Sequence, residues 1–160
     1  MAKLLTRRKL LGGGIVVVGA GAFGAYRYDQ WAASVSAEEG TTLMTPPDAL
    51  AAVAAGELTL VDVRRPDEWA ETGTAPGAQL LDMRRDDFED EVIALVKAYP
   101  DRPIAFICAR GVRSRRVVNA IKTLENAELV RIVDVPEGML GSRAGPGWVE
   151  RGLPTDPYSG

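Results

Sequence analysis

Short apolar runs alternate with helix-like segments from Thr42 to about residue 154, and this alternation constrains the fold more than any other feature. A strand, a helix and a second strand in succession favour parallel pairing, because the connection must cross the sheet before the next strand begins. We therefore predict one α/β domain with a small, mostly parallel sheet and helices on both faces. The predicted strands are LTLVDVR (58 to 64), AQLLDM (78 to 83), PIAFIC (103 to 108) and LVRIVDV (129 to 135).

The helix-like segments carry start and stop signals. Pro46 and Pro47 stand where a helix would begin, and Gly56 stands where it would end. The chain of 160 residues has room for one such domain and an additional segment. The other predicted helices are RPDEWAET (65 to 72), DDFEDEVIALVKAY (86 to 99), SRRVVNAIKTLENA (114 to 127) and GPGWVERGLP (145 to 154).

The first 37 residues are a different kind of sequence. A basic start, MAKLLTRRKLL, precedes a glycine-rich apolar run and then a polar stretch, which is the order of an export signal. Thr6, Arg7 and Arg8, with the apolar residues after them, resemble a twin-arginine signal that the twin-arginine export machinery reads. We therefore expect residues 1 to 37 to direct a bacterial protein to the periplasm, with cleavage after Ala37.

Two other interpretations of this segment are available. Residues 10 to 26 could remain as an inner-membrane anchor facing the periplasm, although they fall at the short end of the roughly 17 to 25 residues that span a bilayer. Gly19, Gly21 and Gly24 spell the GxGxxG of a dinucleotide-binding loop. We reject that interpretation, because no βαβ unit follows the glycines.

Composition excludes several classes of function. Without residues 1 to 37 the chain has 14 basic and 21 acidic residues, a formal charge of −7, which disfavours binding to nucleic acid. The absence of histidine excludes Ser-His-Asp and Cys-His catalysis and most catalytic zinc sites. Cys108 is the single cysteine, so an internal disulfide and a thiolate metal cluster are excluded as well. We expect no metal and no cofactor, and any chemistry rests on this thiol or on carboxylates.

Cys108 ends a predicted strand and begins the loop CARGVRS, at the sheet edge where open α/β sheets bind ligands. Gly111 permits a tight turn, and the backbone N–H groups before a helix starting near Ser114 can converge on the sulfur. Arg110 and Arg113, followed by two further arginines, favour the thiolate and a small oxyanion. Without this loop, a lone cysteine in an apolar strand would most often be an inert core residue.

Three segments resemble the rhodanese family, and they follow one another along the chain in the order of that family. CARGVRS (108 to 114) resembles its active-site loop, and LVDVRRPDEWAETGTAPGA (60 to 78) is similar to its Asp-Val-Arg and Gly-His-Ile-Pro-Gly-Ala region. GWVERGLPT (147 to 155) is similar to its ending of Gly, Trp and Gly-Leu-Pro. The resemblance covers about residues 42 to 156 and implies a rhodanese-like domain.

The resemblance implies a sulfurtransferase. Cys108 would take a sulfane sulfur from thiosulfate or a similar small anion as a persulfide, and pass it to a thiol or cyanide. Arg110 and Arg113 would steer the donor, Asp62 and Arg64 would be structural, and Arg64 would pair with Glu68 at helical spacing. The residues implied to bind the substrate are Ala109, Arg110, Gly111, Val112, Arg113 and Ser114, whose amides would cradle the persulfide.

The chain departs from the family pattern, and two other functions remain open. Thr74 and Ala75 replace the histidine and isoleucine of the family, and EGMLGSRAGPGW (137 to 148) exceeds the common Gly-Gly turn and is expected to reshape the rim of the site.

Dual-specificity phosphatases share this fold but place five residues between cysteine and arginine, whereas four separate Cys108 from Arg113. The alternative to an enzyme is a non-turnover sulfur carrier or partner-binding module in the periplasm.

Overall fold

The computed structural model describes residues 41 to 123 and 131 to 160. The strands are β1 (Thr42–Leu43), β2 (Thr59–Asp62), β3 (Gln79–Leu80), β4 (Ile104–Ile107) and β5 (Ile132–Asp134). The helices are α1 (Pro46–Ala54), α2 (Pro66–Thr72), α3 (Phe88–Ala98), α4 (Val112–Lys122) and α5 (Gly147–Glu150). The predicted signal or anchor in residues 1 to 37 lies outside the described residues. None of the described helices is long and apolar enough to cross a membrane.

The five strands form one parallel sheet in the order β1-β5-β4-β2-β3. In the central pair, Val61 of β2 lies opposite Phe106 of β4, and Asp62 lies opposite Ile107. Because all strands run in the same direction, their carboxyl ends meet at one edge of the sheet. The predicted α/β domain with a parallel sheet is therefore confirmed.

The sheet separates two apolar clusters, because alternate residues of a strand point to opposite faces. Val61, Phe106 and Cys108 belong to the cluster on the α3 and α4 side, which Val117 completes from α4. The cluster on the α1 and α5 side contains the fully buried residues Leu60, Ala105, Ile107, Ala49 and Trp148. Helices thus cover both faces, and Cys108 lies on the α3 and α4 side.

Several element bounds differ from the sequence prediction: the final helix spans Gly147–Glu150 instead of 145 to 154, and the strand predicted over 78 to 83 spans Gln79–Leu80. β1 was not predicted, because two exposed residues cannot show a periodicity, and it is recognised only by its pairing with β5. α4 begins at Val112, two residues before the predicted start near Ser114, because Gly111 supplies the turn in the left-handed region (φ 77°) directly before the helix. The predicted end of α4 lies in residues 124 to 130, outside the described residues.

Candidate active site

Cys108 follows β4 directly, at the carboxyl edge of the sheet. β4 lies between β2 and β5, so the segments that follow these two strands flank the cysteine. The Cys108 side chain packs in the apolar cluster below α4 and is only 1% exposed. The sulfur is therefore almost completely shielded from solvent within the described residues.

Ser114 is the polar side chain in contact with the thiol. The Cys108 thiol donates a long hydrogen bond to Ser114 Oγ, with the two atoms 3.8 Å apart. The Ser114 hydroxyl in turn donates to the Gly111 carbonyl at 3.2 Å, and the Ser114 side chain is fully buried. This hydroxyl is held beside the sulfur by the first turn of α4.

The backbone amides of the loop are available to a ligand. Within residues 41 to 123 and 131 to 160, no carbonyl or side chain accepts a hydrogen bond from the N–H groups of residues 109 to 114. For Val112, Arg113 and Ser114 the cause is the position of the helix start, since the first N–H groups of a helix have no carbonyl one turn earlier. Unpaired N–H groups at a helix N-terminus attract anions.

A second segment, residues 136 to 141, holds the main chain of the cysteine loop by hydrogen bonds. The Met139 amide donates to the Cys108 carbonyl at 2.8 Å, and the Leu140 amide donates to the Ala109 carbonyl at 2.8 Å. The two segments approach so closely that a Cβ on Gly111 would lie 2.1 Å from the Pro136 carbonyl oxygen. The conformation of the loop is therefore set by main-chain contacts.

The long rim segment of residues 137 to 148 is folded around a buried carboxylate. Glu137 is 3% exposed and accepts hydrogen bonds from Arg151 at 2.8 Å and from the Gly147 amide at 3.0 Å. The hydrogen bonds from Arg151 are the main cause that lowers the pKa of Glu137. The Arg110 guanidinium donates to the Gly141 carbonyl of this segment at 3.3 Å. The segment thus contacts one of the predicted donor-steering residues.

Arg113 extends towards α2, where it forms a bidentate ion pair with Glu68 at 2.5 and 2.6 Å. The hydrogen bond to Glu68 raises the pKa of Arg113, and the charge on Cys108 adds a smaller effect in the same direction. Arg113 belongs to the first turn of α4, five residues after Cys108. An anionic donor would approach Arg113 in competition with Glu68.

The remaining arginines of the cysteine loop point in different directions. Arg115 donates from Nε to the fully buried carboxylate of Asp134 at 2.9 Å, at the end of β5. Burial raises the pKa of Asp134, although the contacts of Ser114 and Arg115 lower it. Arg116 lines a cavity together with Met83 and Arg84. Arg115 and Arg116 therefore contact different parts of the domain.

The predicted pairing of Arg64 with the Glu68 carboxylate is wrong. The Arg64 guanidinium forms a fully buried ion pair with Asp62, with Nη2 and Oδ2 2.8 Å apart, and reaches only the main-chain carbonyl of Glu68, at 3.2 Å. The Glu68 side chain pairs with Arg113 and Arg65 instead. Helical spacing does not apply to Arg64, because α2 begins at Pro66 and Arg64 lies before it.

An arginine-lined cavity of about 460 Å³, hereafter the arginine cavity, opens beside the ion pair of Arg113 with Glu68. Its lining residues are Arg65, Glu68, Met83, Arg84, Arg113 and Arg116. Sequence reasoning missed Arg65 and Arg84, although a signal existed. Each follows the carboxyl end of a strand, as Arg113 and Arg116 do, and parallel strands bring these ends together.

Because Glu68 forms an ion pair with Arg113, we expect the folded protein to lose stability in acid. Its pKa is lowered from 4.5 to about 2, chiefly by the hydrogen bond from Arg113, with partial burial opposing the shift. Since the pKa is lower in the folded protein, ionised Glu68 stabilises the fold above pH 4.5, and this contribution is lost as the pH falls from 4.5 to about 2. We expect Glu68→Gln to lower Tm at neutral pH.

The difference in Tm between Glu68→Gln and the wild type should shrink as the pH falls through the same range. Thermal unfolding followed by tryptophan fluorescence at several pH values measures this difference. Glu57→Gln, at an exposed glutamate, is the control and should show little difference at any pH. A Glu68→Gln deficit that stayed constant down to acid pH would contradict the role of this ion pair.

The family model described as "Rhodanese-like domain" matches residues 45 to 139. The chain is similar to the polysulfide-sulfur transferase homodimer of Wolinella succinogenes, with 26% identity and a TM-score of 0.57 over 86% of this chain and 91% of that chain. A search of curated proteins gives no match.

Two further solved structures are similar in fold. A thiosulfate sulfurtransferase of Pseudomonas aeruginosa has 20% identity and a TM-score of 0.54, over 72% of this chain and 20% of that chain. A Rhodopseudomonas palustris protein described as a possible tyrosine phosphatase has 21% identity and a TM-score of 0.50, over 80% of this chain and 89% of that chain. At these identities the likeness is one of fold alone.

Proposed function

The chain belongs to the rhodanese-like domain family, and on this basis we propose that it is a sulfurtransferase that carries sulfane sulfur on Cys108. One observation supports this proposal above the others. The thiol lies at the carboxyl edge of a parallel sheet, below a loop whose amides of residues 109 to 114 have no partner within the described residues. Such a cradle fits a small anion next to the sulfur.

The first step transfers one sulfur atom to the protein. The Cys108 thiolate attacks the sulfane sulfur of thiosulfate, a new S–S bond forms, and the bond between the two donor sulfurs breaks. The electron pair of that bond leaves with sulfite, so no external oxidant or reductant is needed. The product on the protein is the Cys108 persulfide anion.

The loop supplies the donors that this anion requires. Among the amides of residues 109 to 114, those of Val112, Arg113 and Ser114 open α4 and would point their positive ends at the outer sulfur. The Ser114 hydroxyl, 3.8 Å from Cys108 Sγ, would add a side-chain donor by turning its hydrogen from the Gly111 carbonyl to the sulfur. With no histidine in the chain, these groups are the available stabilisation for the persulfide.

The second step returns the thiolate. A thiophilic acceptor, either cyanide or a thiolate, attacks the outer sulfur and takes it, and the electron pair of the S–S bond returns to Cys108. Arg113 supports both steps, because it lies in the first turn of α4, directly after the cysteine loop, and its positive charge attracts an anionic donor. Polysulfide is a further donor to be tested, in view of the name of the Wolinella succinogenes relative.

The phosphatase alternative is less well supported by the geometry of Arg113. In this chain four residues separate Cys108 from Arg113, and the guanidinium extends to Glu68 on α2, where it forms two hydrogen bonds. A phosphate bound above the thiol would require this arginine to leave its carboxylate partner. A loop of this length also encloses a smaller ligand than a phosphate group.

A sulfur carrier without rapid turnover is the second candidate, and the burial of Cys108 favours it. A sulfur that is 1% exposed is shielded from solvent, which would protect a persulfide from loss to chance acceptors. Both candidates use the same first step. They differ in how quickly the persulfide reacts with a small acceptor.

The test is to mix the full-length protein with thiosulfate and to measure its intact mass, with Cys108→Ser as the matched control. We expect the wild type to gain one sulfur atom, the variant to gain none, and cyanide to remove the gain with release of thiocyanate. A stoichiometric gain that cyanide removes only slowly would favour the carrier. No gain with thiosulfate or polysulfide would overturn the proposal.

A further inference from the structure

A buried carboxylate lies on the same face of the sheet as the thiol. Asp134, the last residue of β5, is paired in register with Phe106 of β4, so the two side chains point to the same face. Cys108 follows Phe106 by two residues and belongs to the same apolar cluster, on the α3 and α4 side. The spacing of strands and residues places the Cα atoms of Asp134 and Cys108 roughly 8 Å apart.

The Asp134 carboxylate is only partly satisfied. The residue has no exposed surface, and its Oδ2 accepts a hydrogen bond from Arg115 Nε at 2.9 Å. Its Oδ1 has no hydrogen-bond partner within residues 41 to 123 and 131 to 160. A buried carboxylate oxygen without a donor is unfavourable, so its retention needs an explanation.

Ser114 is the side chain that can connect this carboxylate with the thiol. It is fully buried in the first turn of α4, directly before Arg115, and its Oγ lies 3.8 Å from Cys108 Sγ. In the structure its hydroxyl donates to the Gly111 carbonyl at 3.2 Å, and its contact with the Asp134 carboxyl is one cause that lowers the pKa of that group. A hydroxyl hydrogen rotates freely, so turning it from Gly111 to Asp134 Oδ1 would complete a chain from thiol to carboxylate.

The charges around Asp134 favour a single negative charge in this region. The described residues that face it are Phe106 from β4 with Cys108 just after it, Leu43 from β1, and Ser114 and Arg115 from α4. Arg115 is the one cation among them, and burial raises the pKa of Asp134. Negative charge on both the carboxylate and the sulfur would place two anions in one apolar cluster, which is costly.

From this arrangement we infer that Asp134 accepts the proton of the Cys108 thiol through the Ser114 hydroxyl when the persulfide forms, an inference that rests on the proposed function. The thiol proton passes to Ser114 Oγ, and the Ser114 hydroxyl proton passes to Asp134 Oδ1. The electron pair of the S–H bond stays on the sulfur, which then attacks the sulfane sulfur. One negative charge thus moves from Asp134 to Cys108, and atoms and charge balance without a co-reactant. Asp134 acts through Ser114 and is therefore a positioning residue.

The pH dependence of Cys108 alkylation tests this coupling without any sulfur transfer. When the proton moves within the protein, the fraction of thiolate does not change with pH as long as Asp134 is ionised beside the neutral thiol. With iodoacetamide, an uncharged reagent, we expect a nearly constant rate for the wild type between about pH 6 and pH 8. In Asp134→Asn the proton must leave to solvent, so the rate should rise about tenfold per pH unit.

Glu137→Gln is the matched control, because Glu137 is a second buried carboxylate that is paired with an arginine, Arg151. This variant also loses a buried ion pair, so it shows the profile of a protein that is only destabilised, and we expect it to keep the wild-type plateau. A wild-type rate that rises about tenfold per pH unit over the same range would overturn the role of Asp134, even if Asp134→Asn did not fold. A plateau that persists in Asp134→Asn would overturn it as well.

Proton release during persulfide formation gives a second measurement. The full-length proteins are mixed with thiosulfate in weakly buffered solution at neutral pH with an indicator dye, and the persulfide is counted by intact mass. Asp134→Asn should release about one proton more per persulfide than the wild type, since protonation of the sulfite product is the same for both. Equal release with normal loading would overturn the assignment of Asp134 alone. No persulfide in the wild type would overturn the proposed function, whereas the alkylation profile would still decide whether Asp134 and Cys108 share a proton.

Discussion

Replacing Arg64 with methionine is expected to lower the free energy of unfolding by about 3 to 5 kcal/mol, because the change leaves the Asp62 carboxylate buried without its partner. Both side chains have no exposed surface, and Arg64 donates to both carboxylate oxygens of Asp62 at 2.8 to 3.0 Å. The same guanidinium also donates to the Thr72 hydroxyl at 2.7 Å and to the Gly73 carbonyl at 2.8 Å. Methionine satisfies none of these acceptors.

Urea denaturation followed by tryptophan fluorescence measures this effect, and the chain contains a matched control. Arg85 and Asp87 form a pair of the same chemistry and the same sequence separation, but about half of each side chain is exposed. Arg85→Met should therefore leave the midpoint almost unchanged. The double variant Asp62→Leu with Arg64→Met should recover part of the loss, since no buried charge then remains unpaired. Equal midpoints for Arg64→Met and Arg85→Met would contradict the role of burial.

Replacing Gly111 with alanine is expected to destabilise the protein by about 3 kcal/mol or more and to abolish the reactivity of Cys108. Gly111 has a φ of 77°, in the left-handed region that disfavours side chains. The new Cβ would also lie 2.1 Å from the Pro136 carbonyl oxygen, which is main chain and cannot turn away alone. To relieve this overlap, the cysteine loop and the segment of residues 136 to 141 must separate, and the amides then leave the thiol.

A variant at Gly152 distinguishes the backbone strain from the contact of the new Cβ with Pro136. It has a similar φ of 68°, but no atom lies within 4 Å of its added Cβ, so Gly152→Ala measures the backbone strain alone, about 1 to 2 kcal/mol. Denaturation midpoints of both variants, and the rate of Cys108 alkylation, provide the comparison. If Gly111→Ala cost no more than Gly152→Ala, or kept the wild-type alkylation rate, the contact with Pro136 would not hold the loop.

The pattern of the sequence was sufficient for the fold class and for the position of the thiol. Strands and helices depend on residues close together in the chain, so the alternation of PIAFIC with SRRVVNAIK predicted β4 and α4 without knowledge of their neighbours. The helix boundary was less accurate, because the exact start depends on the φ of Gly111. The arginines near Cys108 were visible in the sequence, but their partners were not.

The residue pattern alone predicts a parallel α/β domain with one cysteine at the carboxyl end of an apolar strand. Which groups meet at that cysteine depends on how the strands and helices pack. Arg113 and Glu68 are 45 residues apart, and the Arg110 guanidinium meets a carbonyl 31 residues away, at Gly141. These contacts follow from the strand order β1-β5-β4-β2-β3. The pattern within a strand indicates which face is buried but not which strand lies beside it, so the strand order and the pairing of Arg113 with Glu68 arise only when the chain packs.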